Sequence, residues 1–367
     1  MAATKEDVLK ALSGVIDPQS GKDVVSAGLI EGLTVRDGNV GFALEVPAAR
    51  GATAEPLRKA CDDAVAKLPG VFSVTAVLTA HQAPVNARRG HGHAQAQGVQ
   101  QASAGIAGVA AIIAVASGKG GVGKSTVAVN LALGLARLGL KVGLLDADIY
   151  GPSVPRLLDI RHKPESDGKK LIPIEKMGIK TMSIGFMVKE DEAMIWRGPM
   201  VQSALTQMMN DVAWAPLDVL VIDMPPGTGD AQLTIAQRVP LKGAVIVSTP
   251  QDIALIDARK GIAMFNKTHV PVLGVVENMS TFVCPNCGHE THIFGHGGAR
   301  AEAEKLGVPF LGEIPLTPIV RETSDAGTPI VDYNPASAEA RAFMAVAELV
   351  AASVAAPQRA APRIIIE

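Results

Sequence analysis

The stretch AIIAVASGKGGVGKST, Ala111 to Thr126, decides how the chain is read. Its first half is an unbroken apolar run with β-branched residues, the pattern of a strand buried on both faces. Its second half fits G-x-x-x-x-G-K-[ST] from Gly118 to Ser125, and an apolar helical pattern follows from Thr126 to Leu138. Strand, glycine-rich loop and helix in that order form a phosphate cradle. The glycines let successive backbone N–H groups turn toward one anion, and the helix N-terminus adds its dipole. The cradle comprises Gly118, Lys119, Gly120, Gly121, Val122, Gly123, Lys124, Ser125 and Thr126. Lys124 is placed to reach the β- and γ-phosphates of ATP, and the Ser125 hydroxyl to ligate Mg²⁺.

The same alternation continues downstream. Lys141–Leu145, Val219–Ile222, Ala244–Ser248 and Val272–Val276 read as further buried strands, and Met200–Val212 and Ile253–Lys267 as helices. The expected class is an α/β P-loop NTPase, its mostly parallel sheet covered by helices on both faces. Upstream, residues 1–81 read as a small α/β domain. It has a helix over Lys5–Leu12, strands over Gly28–Val35 and Val40–Val46 joined at Asp37-Gly38, a helix over Ala54–Leu68 and a strand over Val71–Thr79. Residues 82–109, rich in Gln, Ala, Gly and His, read as a flexible linker, 110–356 as the P-loop domain, and 357–367 as a tail.

Composition narrows the function classes. The 367 residues are 48% hydrophobic and carry a formal net charge of −2, so no global field draws the chain to nucleic acid or to a membrane. The apolar run Ala104–Ala116 is too short to span a bilayer. The opening MAATKEDVLKALSG has no apolar signal-peptide core, and three cysteines make no disulfide framework, so a cytoplasmic setting is expected.

Carboxylates follow two of the strands. KVGLLDADIYGPSVP places Asp146 and Asp148, and DVLVIDMPPGTGD places Asp223, just beyond strand C-terminal ends, where such sheets bind ligands. Asp223 suits the role of holding Mg²⁺ through water, and the Pro-Pro-Gly-Thr-Gly segment after it looks like a switch loop. Asn278, in VVENMS, offers an amide donor and acceptor that match an adenine edge.

Two of the three cysteines stand together in FVCPNCGHETHIFG, Phe282 to Gly295. Cys284 and Cys287 form C-x-x-C, which fits a redox dithiol, half of a zinc site or half of an iron–sulfur site. His289, His292 and His296 follow closely enough to complete a zinc site within one chain. Cys61 stands apart. It shares a helical face with Leu57, Val65 and Leu68, as a small core residue would.

With SGKGGVGKST, DADIYGPSVP, DMPPGTGD and CPNCGHETHIFG in this order, residues 110–355 resemble the Mrp/ApbC family of iron–sulfur cluster carriers, and the extra Lys119 resembles the deviant phosphate loop of the ParA/MinD class. The resemblance implies slow ATP hydrolysis with Lys119 and Lys124 at the phosphates and Asp148 on the attacking water. It implies a homodimer in which Lys119 reaches the partner's nucleotide. It implies a labile 4Fe–4S cluster held by Cys284 and Cys287 of both subunits, received from donor proteins and passed to apo iron–sulfur proteins. VIDPQSGKDVVSAGLI, Val15 to Ile30, looks like the small domain of SUF-type iron–sulfur assembly factors. Many such domains carry a cysteine in the loop after the second strand. Here that loop reads VPAARGATAEP and has none, a departure that argues against an independent cluster-ligand role and leaves a recruiting or a regulatory one.

Overall fold

The computed structural model describes residues 4–36, 39–47, 55–69, 71, 73–81, 105–168, 170–187 and 198–356. The chain divides into two compact units, residues 1–98 and 99–367.

The smaller unit opens with α1 (Lys5–Leu12), whose first turn is closed by a reciprocal cap. Thr4 Oγ1 accepts the Asp7 N–H at 3.3 Å, and an Asp7 carboxylate oxygen accepts the Thr4 N–H at 3.0 Å. β1 (Ile30–Arg36) and β2 (Asn39–Pro47) pair antiparallel, with Arg36 opposite Asn39. The hairpin's expected Asp37-Gly38 tip lies outside the described residues. α2 (Glu55–Ala66) then carries the chain to β3 (Ser73–His81), which pairs parallel to β2. Val8, Leu12, Leu44, Cys61 and Val65 form the centre of the core. Burial pushes the Cys61 thiol up to about 11, so it stays protonated, as a core residue should. The expected linker and tail fall largely or wholly outside the described residues.

The larger unit begins with β4 (Val109–Ala116) and α3 (Lys124–Arg137). It continues through β5 (Val142–Asp146), α4 (Val154–Leu157), the hairpin β6 (Ile174–Lys176) and β7 (Ile179–Ser183), and α5 (Gly198–Asn210). Next come β8 (Leu217–Asp223), α6 (Asp230–Arg238), β9 (Gly243–Ser248) and α7 (Asp252–Lys267). β10 (Val272–Val283), β11 (Glu290–Thr291), α8 (Gly298–Leu306) and β12 (Phe310–Leu316) follow. α9 (Pro318–Asp325), α10 (Ile330–Tyr333) and α11 (Ala338–Ala355) complete it.

All these strands form one sheet in the order β11-β10-β9-β4-β8-β5-β7-β6, with β12 also paired to β10. Only β6 and β11 run antiparallel to their neighbours. β4 lies at the centre between β8 and β9, and residues 111–116 are buried, as their uninterrupted apolar character requires. Parallel pairing brings the C-terminal ends of β4, β5, β8, β9 and β10 to one edge, where the motifs sit. The sequence reading missed the β6–β7 hairpin, β12 and α6, and named no element at α4, β11, α8, α9 or α10. β6 is very short, Gly312 and Pro315 interrupt the apolar pattern of β12, and α6 starts directly from the glycine-rich loop.

Leu144 is fully buried in β5. Leu144→Ala should destabilise the larger unit by about 2–5 kcal/mol, read as a lower urea midpoint with unchanged slope.

Candidate functional site

The phosphate loop is built by close approach. A Cβ on Gly118 would lie 2.1 Å from the Asp257 carbonyl, so α7 packs flush against the loop backbone. Gly123 has φ +78°, in the left-handed region, and a Cβ there would lie 2.2 Å from Asn278 Nδ2. The C-terminal half of the motif thus needs glycine for both conformation and space. Val122 is buried, so only its main chain faces the cradle. Ser117 Oγ donates to the Lys119 carbonyl at 2.9 Å, and the Ser117 carbonyl accepts the Gly227 N–H at 3.0 Å. The second contact ties the Pro-Pro-Gly-Thr-Gly loop to the phosphate loop.

Lys124 is 6% exposed, and its ammonium contacts Asp223 Oδ1 and donates to Ser125 Oγ at 3.2 Å. Asp223 is fully buried at the end of β8, and its Oδ2 has no hydrogen-bond partner among the described residues. A buried carboxylate oxygen without a partner, next to a hydroxyl on the first turn of α3, is the donor set a hard divalent cation takes. The residues present therefore fit Mg²⁺.

Asp146 ends β5 directly beside Asp223 in register. It accepts the Asp148 N–H at 3.1 Å, the Val154 N–H at 3.1 Å and the Ser183 hydroxyl at 3.0 Å. Burial, then repulsion from Asp223, pushes its carboxyl up to about 7 against the pull of those donors. Asp148, half-buried and backed by Asp146, is also raised, by burial first and with Lys124 opposing. Asp146 therefore shapes the loop, and Asp148 is the more accessible carboxylate.

Asn278 is buried, and its Nδ2 donates to the Val122 carbonyl at 2.8 Å. It braces the phosphate loop, a role that its place in the sequence did not suggest. Gln232 does the same for the Pro-Pro-Gly-Thr-Gly loop through the Pro225 carbonyl. Ser183, Gln232 and the Asn278 brace belong to no motif, and only proximity reveals them.

The cysteines sit on a ribbon that leaves the sheet. β10 ends at Val283, and β11 folds back on it with Phe282 opposite Thr291 and Val283 opposite Glu290. The Cys284 N–H donates to the His289 carbonyl and the Gly288 N–H to the Cys284 carbonyl, both at 2.9 Å. Cys284 is half-buried and Cys287 exposed. Backbone N–H groups of Asn286 and Cys287, then the Cys287 side chain, hold the Cys284 thiol below its ordinary range. Such N–H···S bonds favour the thiolate that metal ligation needs.

The histidines do not gather around these thiols. His292 stacks on His296 with centroids 4.3 Å apart, and His296 Nδ1 lies 3.9 Å from Glu313. Among the described residues, one set of three potential ligand atoms lies mutually within 4.8 Å, namely Glu277, His296 and Glu313, and it contains neither cysteine. Glu277 already accepts the Gly297 and Ala299 N–H groups, which caps α8. The one-chain zinc arrangement that the sequence left open thus gains no third ligand from this geometry.

A phosphate loop on the central strand, a buried lysine–aspartate pair and a carboxylate-bearing loop beside it define a P-loop NTPase. A family model described as NUBPL iron-transfer P-loop NTPase matches residues 108–351, and one described as iron-sulfur cluster assembly protein matches residues 5–77. The chain belongs to the NUBPL iron-transfer P-loop NTPase family. An iron-sulfur cluster carrier protein of Escherichia coli (strain K12) is 57% identical over 252 residues, 68% of this chain and 68% of that protein. One of Helicobacter pylori is 41% identical over 349 residues, 94% of this chain and 91% of that protein. The nucleotide-binding protein of Archaeoglobus fulgidus, solved with ADP, aligns with a TM-score of 0.55 at 43% identity, covering 62% of this chain and 90% of that one. Among the described residues no helix is long and apolar enough to cross a membrane.

The raised carboxyl of Asp146 has a pH consequence. The folded state keeps a proton that the unfolded chain loses near the ordinary value of 3.8, so stability falls as pH rises from there toward about 7. Urea unfolding of the nucleotide-free protein should show this fall, and Asp146→Asn should flatten it.

Proposed function

We propose that this protein hydrolyses ATP slowly and carries a labile 4Fe–4S cluster at a homodimer interface for delivery to apo iron–sulfur proteins. The observation that carries the reading is the Cys284–Cys287 turn. It presents two thiols three residues apart, one half-buried and one exposed, just beyond the end of the strand that also braces the phosphate loop. One chain offers two thiolates there and a cluster takes four, so two turns meeting at a dimer axis satisfy the stoichiometry. The relatives' names as cluster carriers point the same way. The cluster is cargo, taken from donor proteins and lost when the interface loosens.

In this reading the backbone of Gly118 to Thr126 cradles the phosphates and Lys124 leaves Asp223 for the β- and γ-phosphoryl oxygens. Lys119 extends to the nucleotide of the partner subunit, so ATP favours the dimer. Ser125 and Asp223 would hold Mg²⁺, which neutralises charge on the phosphates when bound. Asp148 accepts a proton from the water that attacks the γ-phosphorus, as the bond to the ADP oxygen breaks. Asn278 keeps its brace while its remaining amide edge faces adenine. Residues 1–81 form the small domain, with a recruiting or regulatory role, 82–109 the linker, 110–356 the carrier domain and 357–367 the tail. The setting is cytoplasmic. Nucleic acid and membrane are not partners, since α11 offers Arg341 as its one base.

Anaerobic reconstitution with iron and sulfide tests the carrier. About four irons and four sulfides per dimer are expected, lost in Cys287→Ala with ATP binding intact. Zinc at about one per chain without sulfide would overturn it. Asp148→Asn should lower kcat at least about 100-fold with nucleotide affinity retained.

A further inference from the structure

Met279 lies within β10 but does not share the strand's backbone conformation. Its φ is +58°, in the left-handed region that a long side chain rarely adopts. The pairing with β12 slips at the same place. Asn278 faces Ile314 and Phe282 faces Leu316, so β10 takes four steps where β12 takes two. Ser280 Oγ, donating to the Ile314 carbonyl at 3.2 Å, stitches the gap. Pairing with β9 ends at Glu277, so beyond the bulge β10 continues as a ribbon held by β11 and the end of β12.

The bulge lies beside the phosphate loop. A Cβ built on Gly123 would lie 3.5 Å from Met279 Cε, so the thioether methyl borders the space next to the N-cap residue of α3. On the other side, Cys284 follows Met279 by five residues, about 17 Å along an extended strand. A strained backbone joint therefore stands between the loop that grips phosphate and the ribbon that presents the thiols.

We propose that Met279 is a positioning residue that makes occupancy of the phosphate loop felt at Cys284 and Cys287. Phosphate entering the cradle reorients Gly123, the methyl of Met279 follows, and the ribbon beyond the bulge changes its angle. The inference rests on the carrier reading for its purpose, but not for its test.

The test uses the full-length, cluster-free protein. Iodoacetamide alkylation of Cys284 and Cys287 is timed by peptide mass spectrometry with and without Mg-ADP, with buried Cys61 as the internal reference. Sedimentation must show the same species in both samples, so that subunit pairing does not hide the thiols. ADP should slow alkylation of Cys284 at least about threefold in the native protein. Met279→Gly, which removes both the methyl and the backbone strain, should keep ADP affinity within about threefold and abolish the difference. Met279→Asn, which tolerates the left-handed backbone but lacks the methyl, should do the same and serves if the glycine variant fails to fold. Met279→Gln, with the same reach, should retain the response. An undiminished ADP effect in the folded glycine or asparagine variant, or no ADP effect in the native protein, would overturn the proposal. Iron and sulfide loading is measured separately, so failure of the carrier reading would leave this result standing.

Discussion

The contact between Lys124 and Asp223 holds the open edge of the sheet together. Both side chains are buried, one at the start of α3 and one at the end of β8, and each compensates the other's charge. Removing either alone would strand a buried charge at a cost of about 3–5 kcal/mol. The pair also explains its surroundings. Asp146, adjacent to Asp223, faces a site with one local cation already engaged, and burial keeps its carboxyl toward the neutral form. Its three hydrogen bonds then serve geometry, fixing the loop that carries Asp148. The pair is a resting arrangement. In the proposed mechanism a phosphate group competes for Lys124 and a cation for Asp223, so that ligand binding would replace one buried charge pairing with another and leave no bare charge.

β10 gives the site its second dimension. The other central strands stop at the sheet edge, but this one continues past Glu277 and Asn278 to carry the thiols outward. Glu277 anchors the start of α8, Asn278 anchors the phosphate loop, and the next residue breaks the strand geometry. A ribbon rooted beside the phosphate loop is thus continuous along the chain with the segment that carries Cys284 and Cys287.

Much of this was legible in the chain. Continuous apolar runs marked the buried strands, because a strand covered on both faces has no polar side. The glycine spacing marked the phosphate loop, because backbone N–H groups can converge on an anion only where side chains are absent. Asp148, Asp223, Cys284 and Cys287 stood out as candidates because each follows a strand or lies within a short motif. The β6–β7 hairpin and β12 were not visible, because brevity, glycine and proline erase periodicity.

The sequence by itself determined which chemistry the chain holds: phosphate-gripping amides, a lysine, aspartates and a thiol pair. These are properties of residues adjacent along the chain, so local spacing encodes them. The tertiary structure alone decided how they are supported. Asn278 reaches the Val122 carbonyl across 156 positions, and Ser183 reaches Asp146 across 37. No periodicity spans such intervals, since these contacts exist only once parallel strands bring their ends to one edge. The left-handed backbone at Met279 has the same origin. Nothing in its own side chain calls for that conformation, which falls where the pairing of β10 with β12 slips.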